Sequence, residues 1–585
     1  MIKREDISNF IDYDFEASKK SWEENMKLPI KDRIRKRKAI QSVYLDRDYR
    51  DKTEENYILL KLKVDVNLSD FKEGECLILH KENTTSGFEC DLYSFEGDNS
   101  IIIQVFPQKF PSDIESYYNI PLVLDKALVD IRTHVYYPFL ACLPGSQDDY
   151  WKSLLLNTRP QPSLEEREKN AEEIDDTAIN HGFDLLPSQR EAIINCMSAK
   201  DYFLIQGPPG TGKSFVLAFI IIEEMYYLHH KVIVIGPNHM AINNTLEQCL
   251  KSFPLCSPSM FKVGQKYNAP TKVVHEGEED FKLMNFHHHP YVGEFNSIED
   301  SWLVGLTPHS LYSSRAAGLK CDTLIVDEAG QMTIPLALMG MRRAKKVILA
   351  GDHKQLPPII SSEEIPDYMR KSAFETLMTD ANCTLLDTSF RMCEPLCEYV
   401  SDLFYDSKVK AKKQGCGDMV KCDDPLYSFD KPVIIHQVDD DGCQASDMEA
   451  EYIVNTIVGF LKKGVPAKEI AVLAPFRAQT ATIRRGIRKR EDISDEDKSI
   501  LVADTVDKMQ GQEREVIMYS FTAGDPDYIS EMADFLYKPN KLNVAFSRAK
   551  SKLIIVGNFD KILENAGDGF PHIKGMLNHK NVTKV

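Results

Sequence analysis

The chain lacks any run of about 18 apolar residues free of charge, the length a membrane-spanning helix needs, so no membrane partner is expected. Its first residues, Met1-Ile2-Lys3-Arg4-Glu5-Asp6, are charged and lack the apolar centre of a secretory leader. A cytoplasmic protein is expected, or a nuclear one in a eukaryote. The 13 cysteines lack CxxC pairs: Cys393 and Cys397 sit four apart, Cys416 and Cys422 six apart. A zinc site normally uses tighter pairs with histidine partners, so reduced structural thiols are expected. An excess of positive charge is also missing. The formal net charge of −18 argues against a protein that coats nucleic acid through bulk charge, but leaves room for a narrow basic channel. There is no short-period repeat and no low-complexity tract. What remains, 43% hydrophobic and 27% charged residues in a chain of 585, is ordinary for a globular protein of several domains.

Residues from about 14 to 45 read as a charged helix. Within it, Asp32 to Lys38 is strongly basic, which suits a solvated helix face first and nucleic-acid contact second. The period then changes. Tyr57 to Val66 alternates like a half-buried strand, and Glu75 to His80 and Ser100 to Pro107 look similar, separated by Gly, Asn and Asp turns. A small antiparallel barrel after a helical stalk is expected. Residues from about 108 to 180 return to helical or irregular patterns, with Glu165 to Asp176 acidic and exposed.

After Gly182 come continuous apolar runs: Tyr202 to Ile205, Lys231 to Ile235, Thr323 to Val326 and Lys346 to Ala350. Such runs fit strands buried on both faces of a parallel sheet, and the helical segments between them make the class α/β. A second set follows at Val433 to Ile435, Ile470 to Leu473, Glu515 to Met518 and Lys552 to Val556, with the join near Asp387. The expected organisation is an accessory region over 1–180, a first α/β domain over 181–387 with an insertion at about 252–300, and a second over 388–585.

Gly207-Pro208-Pro209-Gly210-Thr211-Gly212-Lys213-Ser214 lies between an apolar strand and a helical run, the context a phosphate-binding loop requires. Its backbone N–H groups suit the β-phosphate of ATP, and the helix N-terminus favours negative charge. Lys213 should reach the β- and γ-phosphates, and Ser214 should ligate Mg²⁺. Asp327-Glu328-Ala329-Gly330-Gln331 ends a strand: Asp327 is placed to hold Mg²⁺ and Glu328 to act as general base. In Gly351-Asp352-His353-Lys354-Gln355-Leu356-Pro357-Pro358, Gln355 could contact the γ-phosphate; alone, this would read as a Gly/Pro turn.

These motifs belong to an ordered series. Leu186-Pro187-Ser188-Gln189-Arg190 precedes the loop and Gly236-Pro237-Asn238-His239-Met240-Ala241 follows the second strand. Ser389-Phe390-Arg391-Met392, Phe404-Tyr405, Thr505 to Glu513 and Leu542 to Lys550 come later. Over residues from about 183 to 560 the chain resembles a superfamily 1 helicase of the Upf-like group, which includes the nonsense-mediated-decay, Sen-type and Dna-type helicases. The resemblance implies two tandem RecA-like P-loop domains, with a stalk and barrel that shape a strand channel. It implies that Gln189 reads the adenine edge, that Arg391 and Arg548 are arginine fingers, and that Glu513 touches the ribose or couples the domains. The group usually has Gln-Tyr where this chain has Ser389-Phe390; Phe390 keeps a ring face for adenine but has no hydroxyl.

The resemblance further implies 5′→3′ movement along single-stranded RNA or DNA, with the domains gripping the strand alternately. Candidate strand contacts are Pro237, Asn238, Asn243 and Thr307 in the first domain and Thr505 and Asn543 in the second. Short polar groups suit phosphate and sugar contacts, and each is equally read as a cap or turn residue. A protein partner would engage the N-terminal region. The competing functions are a nucleotide-gated clamp that hydrolyses ATP slowly as a switch, and a scaffold. His287-His288-His289-Pro290 reads as a loop rather than a metal site. The run Arg484-Arg485 through Arg488-Lys489-Arg490 reads as a strand path or an exposed helix face.

Overall fold

The computed structural model describes the chain except residues 1, 53–56, 66–68, 70, 72–73, 97–98, 144–163, 254–259, 264–281, 285–299, 313–315, 317, 418, 421, 510 and 567–568. The expected insertion lies largely among these, and His287-His288-His289-Pro290 lies wholly outside the described residues.

The first helix spans Arg4–Lys27. Asp6 accepts from the backbone N–H of Lys3 at 2.6 Å, closing the N-terminus, and Pro29 disfavours helix at Leu28 and ends it. A short helix, Ile30–Arg35, follows. The helical expectation from 14 to 45 therefore fails in its last third. Ala39-Ile40-Gln41-Ser42-Val43-Tyr44-Leu45 opens strand β1 (Ala39–Lys52), and Ile40, Val43 and Leu45 are buried in the barrel core. Dense charge upstream concealed the change of period.

The expected barrel is present and closed. Its order is β1, β2 (Ile58–Val64), β5 (Ser100–Val105), β4 (Gly87–Phe95), β3 (Cys76–Lys81) and β6 (Leu122–Lys126). β6 falls in a region read as helical or irregular; it seals the barrel by pairing with both β1 and β3. Arg33, from the basic segment, turns inward and pairs with Asp125 of β6, whose same carboxylate oxygen meets His80 at 2.8 Å. That arginine ties the stalk to the barrel and is not available to a strand. Ile7, Phe10 and Ile11 of the stalk helix join the core that contains Trp302 and Leu324 of the next body.

That body is an eight-stranded sheet in the order β10 (Lys282–Met284), β9 (Met260–Val263), β11 (Trp302–Gly305), β8 (Lys231–Ile235), β12 (Cys321–Val326), β13 (Ala344–Gly351), β7 (Tyr202–Gln206), β14 (Cys383–Leu385). All its pairings are parallel. The four apolar runs expected as strands are its centre, and each is buried on both faces. The second body is a six-stranded parallel sheet, β19 (Val502–Thr505), β18 (Ile470–Ala474), β20 (Arg514–Ser520), β21 (Ala549–Gly557), β17 (Val433–Gln437), β22 (Val582–Lys584). Asp387 sits between β14 and the small pair β15 (Thr388–Cys393) and β16 (Lys410–Lys413).

The expectation of reduced thiols fails at one pair. Cys393 and Cys416 form a disulfide across 23 residues of sequence, with Cα atoms 4.8 Å apart. The parallel return of β16 beside β15 brings them together, which linear spacing did not reveal. No described helix is long and apolar enough to cross a membrane.

Candidate nucleotide and strand site

In a parallel sheet, ligands gather beyond the carboxyl ends of the strands. Here β7 leads into the loop 207–214, β12 into Asp327-Glu328, and β13 into Asp352. The helix after the loop, Lys213–Ile222, is apolar and buried from Val216 onward, so its start is rigidly held beneath the phosphate position. Gly210 and Gly212 have φ of +74° and +81°. A Cβ at Gly210 would lie 2.4 Å from Cβ of Arg391, and one at Gly212 would lie 2.8 Å from Nε2 of Gln189. Glycine is thus required both by the backbone turn and by the approach of neighbouring elements.

Lys213 Nζ lies 2.8 Å from Asp327 Oδ1 and 2.6 Å from Glu328 Oε1. Burial alone would lower its pKa, but the two carboxylates outweigh it and hold the ammonium above its ordinary value. Asp327 is further held by the N–H of Glu328 at 2.8 Å and by the hydroxyl of Thr245 at 2.7 Å. Glu328 takes a left-handed conformation, φ +53°, and its Oε2 accepts from Gln331 at 3.0 Å. A non-glycine residue held there at the mouth of a site signals that the surroundings fix its direction.

The second body supplies the opposite wall. Arg391 Nε donates to Glu513 Oε2 at 2.5 Å, and its Nη1 donates to the carbonyl of Ser547 at 3.0 Å. Burial would raise the Glu513 carboxyl, yet Arg391 and Lys550 hold it below its ordinary value. Arg548 is buried; desolvation, with repulsion from Arg391, lowers it to about 9, so it stays cationic at neutral pH. Its Nη2 lies 3.4 Å from Gln355 Oε1. Gly207 to Ser214, Glu328, Gln355, Arg391 and Arg548 line one cavity of about 270 Å³. The same cavity is lined by Asn244, Gln248 and Gly511, which the sequence reading did not single out. Asn244 and Gln248 are one turn apart on the helix His239–Ser252, so only that spacing could have signalled a shared face.

Ser389 and Phe390 divide their roles. Ser389 is buried, and its hydroxyl donates to the Pro209 carbonyl at 2.9 Å, while the Phe390 N–H donates to Gly210 at 2.8 Å. The serine therefore docks β15 on the phosphate loop. The Phe390 ring is 47% exposed and free to meet a flat ligand. Gln189 is buried, with Oε1 accepting from Leu186 N–H and Nε2 donating to the Thr211 carbonyl, both at 3.2 Å. It braces the loop from behind.

The expected strand contacts separate into two groups. Asn238 is exposed and caps its helix, accepting from Ala241 N–H at 3.0 Å. Pro237, Asn243 and Thr307 are half-buried on the same sheet body, and Thr307 meets the Ser310 hydroxyl at 3.0 Å. Thr505 is 8% exposed at the end of β19. Asn543 is placed elsewhere: it is fully buried, donating to the Lys354 carbonyl and to the Tyr405 hydroxyl, both at 2.8 Å. It joins the two bodies. Of the basic run, Arg484 pairs with Asp504 at 2.9 Å and Arg490 with Asp492 at 2.8 Å.

Mg²⁺ prefers a few hard oxygen donors and completes its shell with water and phosphate. The Asp327 carboxylate and the half-buried Ser214 hydroxyl are donors of that kind, and the Lys213 ammonium on Asp327 already shows that this carboxylate favours a cation.

Two family models, each described as an AAA domain, match residues 184–291 with 294–363, and residues 369–560. The chain is 28% identical over 439 residues to the DNA polymerase alpha-associated DNA helicase A of Schizosaccharomyces pombe, covering 65% of this chain and 64% of that protein. It is 24% identical to an uncharacterized ATP-dependent helicase of Methanocaldococcus jannaschii, covering 63% and 67%. It is 25% identical to the human DNA replication ATP-dependent helicase/nuclease DNA2, covering 68% of this chain but 39% of that one. The chain therefore spans less than two thirds of the yeast protein and well under half of the human one. The chain belongs to the superfamily 1 helicases of the Upf-like group.

Proposed function

We propose that this chain is an ATP-driven motor that moves 5′→3′ on single-stranded RNA or DNA, built from two tandem RecA-like domains. One observation carries the reading: a single cavity of about 270 Å³ is lined from one side by the phosphate loop and Glu328, and from the other by Arg391 and Arg548. A site divided in this way closes when nucleotide binds and relaxes after hydrolysis, which is what converts turnover into movement.

In the chemistry proposed, triphosphate draws Lys213 away from the carboxylates. That releases Glu328 Oε1 to accept a proton from the attacking water. Arg391 and Arg548 place guanidinium charge where negative charge develops on the transferred phosphoryl group. Ser214 and Asp327 would hold Mg²⁺, which when bound neutralises phosphate charge. Phe390 offers its ring to the adenine. Pro237, Asn238, Asn243 and Thr307, with Thr505 across the cleft, would meet the strand backbone; Asn543, buried at the joint between the bodies, is left out of that proposed path.

Strand displacement tests this directly. A duplex with a 5′ single-stranded tail should be separated in the presence of ATP and Mg²⁺, one with a 3′ tail should not, and Glu328→Gln should abolish separation. Binding of both substrates without separation of either would leave the clamp reading in place of the motor.

A further inference from the structure

We propose that Thr245 is a positioning residue that links the strand-side start of the helix His239–Ser252 to the carboxylate of Asp327. The metal half of this inference stands on its own, and the strand half rests on the motor reading above.

Thr245 is fully buried in the middle of that helix. A buried helical threonine commonly turns its hydroxyl back onto the carbonyl four residues earlier. Here the Ala241 carbonyl is 3.4 Å away, while Asp327 Oδ2 is 2.7 Å away. A hydroxyl has one proton to give, and the shorter partner is the carboxylate. Asp327 Oδ1 is held differently, by Lys213 and by the N–H of Glu328. When Lys213 leaves for a phosphate, Thr245 remains the donor on Oδ2. It would then fix which carboxylate oxygen is presented to the cation.

The helix that carries Thr245 also has one edge on the nucleotide cavity, through Asn244 and Gln248. Its first turn is set by Asn238, the exposed cap. A helix rises about 1.5 Å per residue, so a shift of one residue's rise along its axis would lengthen or misalign a bond of this length. Movement at the Asn238 end is thereby felt at Asp327 without any intervening flexible link.

The test uses the full chain with Thr245→Val, which keeps the shape and removes the donor, and Thr245→Ser, which keeps the donor. Binding of Mn²⁺ in the presence of ADP, followed by electron paramagnetic resonance, reads the metal without turnover. Thr245→Val should raise the half-saturating Mn²⁺ concentration about tenfold or more, as loss of a partner behind a metal ligand does, and Thr245→Ser should restore it. A Thr245→Val protein within about twofold of the natural chain would overturn the positioning role. Where Thr245→Val melts early, Thr245→Cys keeps the volume with a weak donor and should show the same rise.

Adding a single-stranded oligonucleotide should shift Mn²⁺ half-saturation in the natural chain, and that shift should vanish in Thr245→Val. An equal shift in both would overturn the link to the strand while leaving the metal result intact. If no strand stimulates ATP turnover in the natural chain, the motor reading fails, and the Mn²⁺ comparison without oligonucleotide still decides the role of Thr245.

Discussion

The hydroxyl of Tyr405 donates to Oδ2 of Asp352 at 2.6 Å, joining the end of a helix in the second body to the loop after β13 in the first. The same hydroxyl accepts from Asn543, and Asp352 also accepts from Gln206, the Lys354 N–H and Gln355. One buried carboxylate thus gathers the phosphate-loop strand, the Gln355 loop and the second body. Tyr405→Phe removes a hydrogen bond to a charged group, a loss of about 1.5–3 kcal/mol. Strand-stimulated turnover should fall roughly tenfold or more in kcat with the KM for ATP little changed, as steady-state kinetics would show. An unchanged kcat would mean that the joint is only structural.

Lys213 should matter to stability before any nucleotide is present. It sits between Asp327 and Glu328, and its removal leaves like charges facing each other with Asp327 buried. Lys213→Ala should abolish ATP turnover and also destabilise the nucleotide-free protein by roughly 2–4 kcal/mol. Thermal melting of the two proteins without nucleotide checks this; equal melting temperatures would contradict the charge balance described.

Phe390 should affect binding more than chemistry. Its half-exposed ring borders the phosphate loop without being held by it, and an aromatic pair contributes about 0.5–1.5 kcal/mol beyond its area. Phe390→Leu should raise the KM for ATP roughly threefold to tenfold with kcat largely kept, and Phe390→Tyr should bind ATP at least as well as the natural chain.

Glu224 gives the first sheet an acid-sensitive lock. It is fully buried; burial would raise its carboxyl, but Lys346, His230 and Thr323 outweigh this and lower it from the ordinary 4.5 to about 2. A depressed carboxyl contributes stability that is present above the unfolded value and is lost as pH falls through the folded one. The loss should run from pH about 4.5 down to about 2 and amount to roughly 3 kcal/mol. Glu224→Gln should flatten that part of the curve in denaturant melts taken across the window.

The parts of the site legible in the sequence are those made within one strand–loop–helix unit. Gly207 to Ser214, Asp327-Glu328 and Gln355 each follow a buried apolar run; the loop, Glu328 and Gln355 line the cavity, and Asp327 lies behind them on Lys213. The place of Asn543 is not legible locally, because it is set by Lys354 and Tyr405, which lie 189 and 138 residues away. Thr245, Asn244 and Gln248 went unnoticed because a threonine and two amides within an amphipathic helix look like any half-buried face until Asp327 is brought against them. In the fold, β1 is hidden behind the charge of residues 32–38, and β6 shows no alternation because it is short and Leu122 to Asp125 are buried on both faces. The Cys393–Cys416 bridge depends on the pairing of β15 with β16, a contact that no local spacing encodes.

Hydrolysis at this divided cavity should be coupled to a strand. ATP turnover should be measured without polymer, with single-stranded RNA and with single-stranded DNA, using Lys213→Ala as the blank. Turnover stimulated many-fold by at least one polymer, and absent from the Lys213→Ala protein with every polymer, is the predicted result. Turnover indifferent to both polymers would contradict the account.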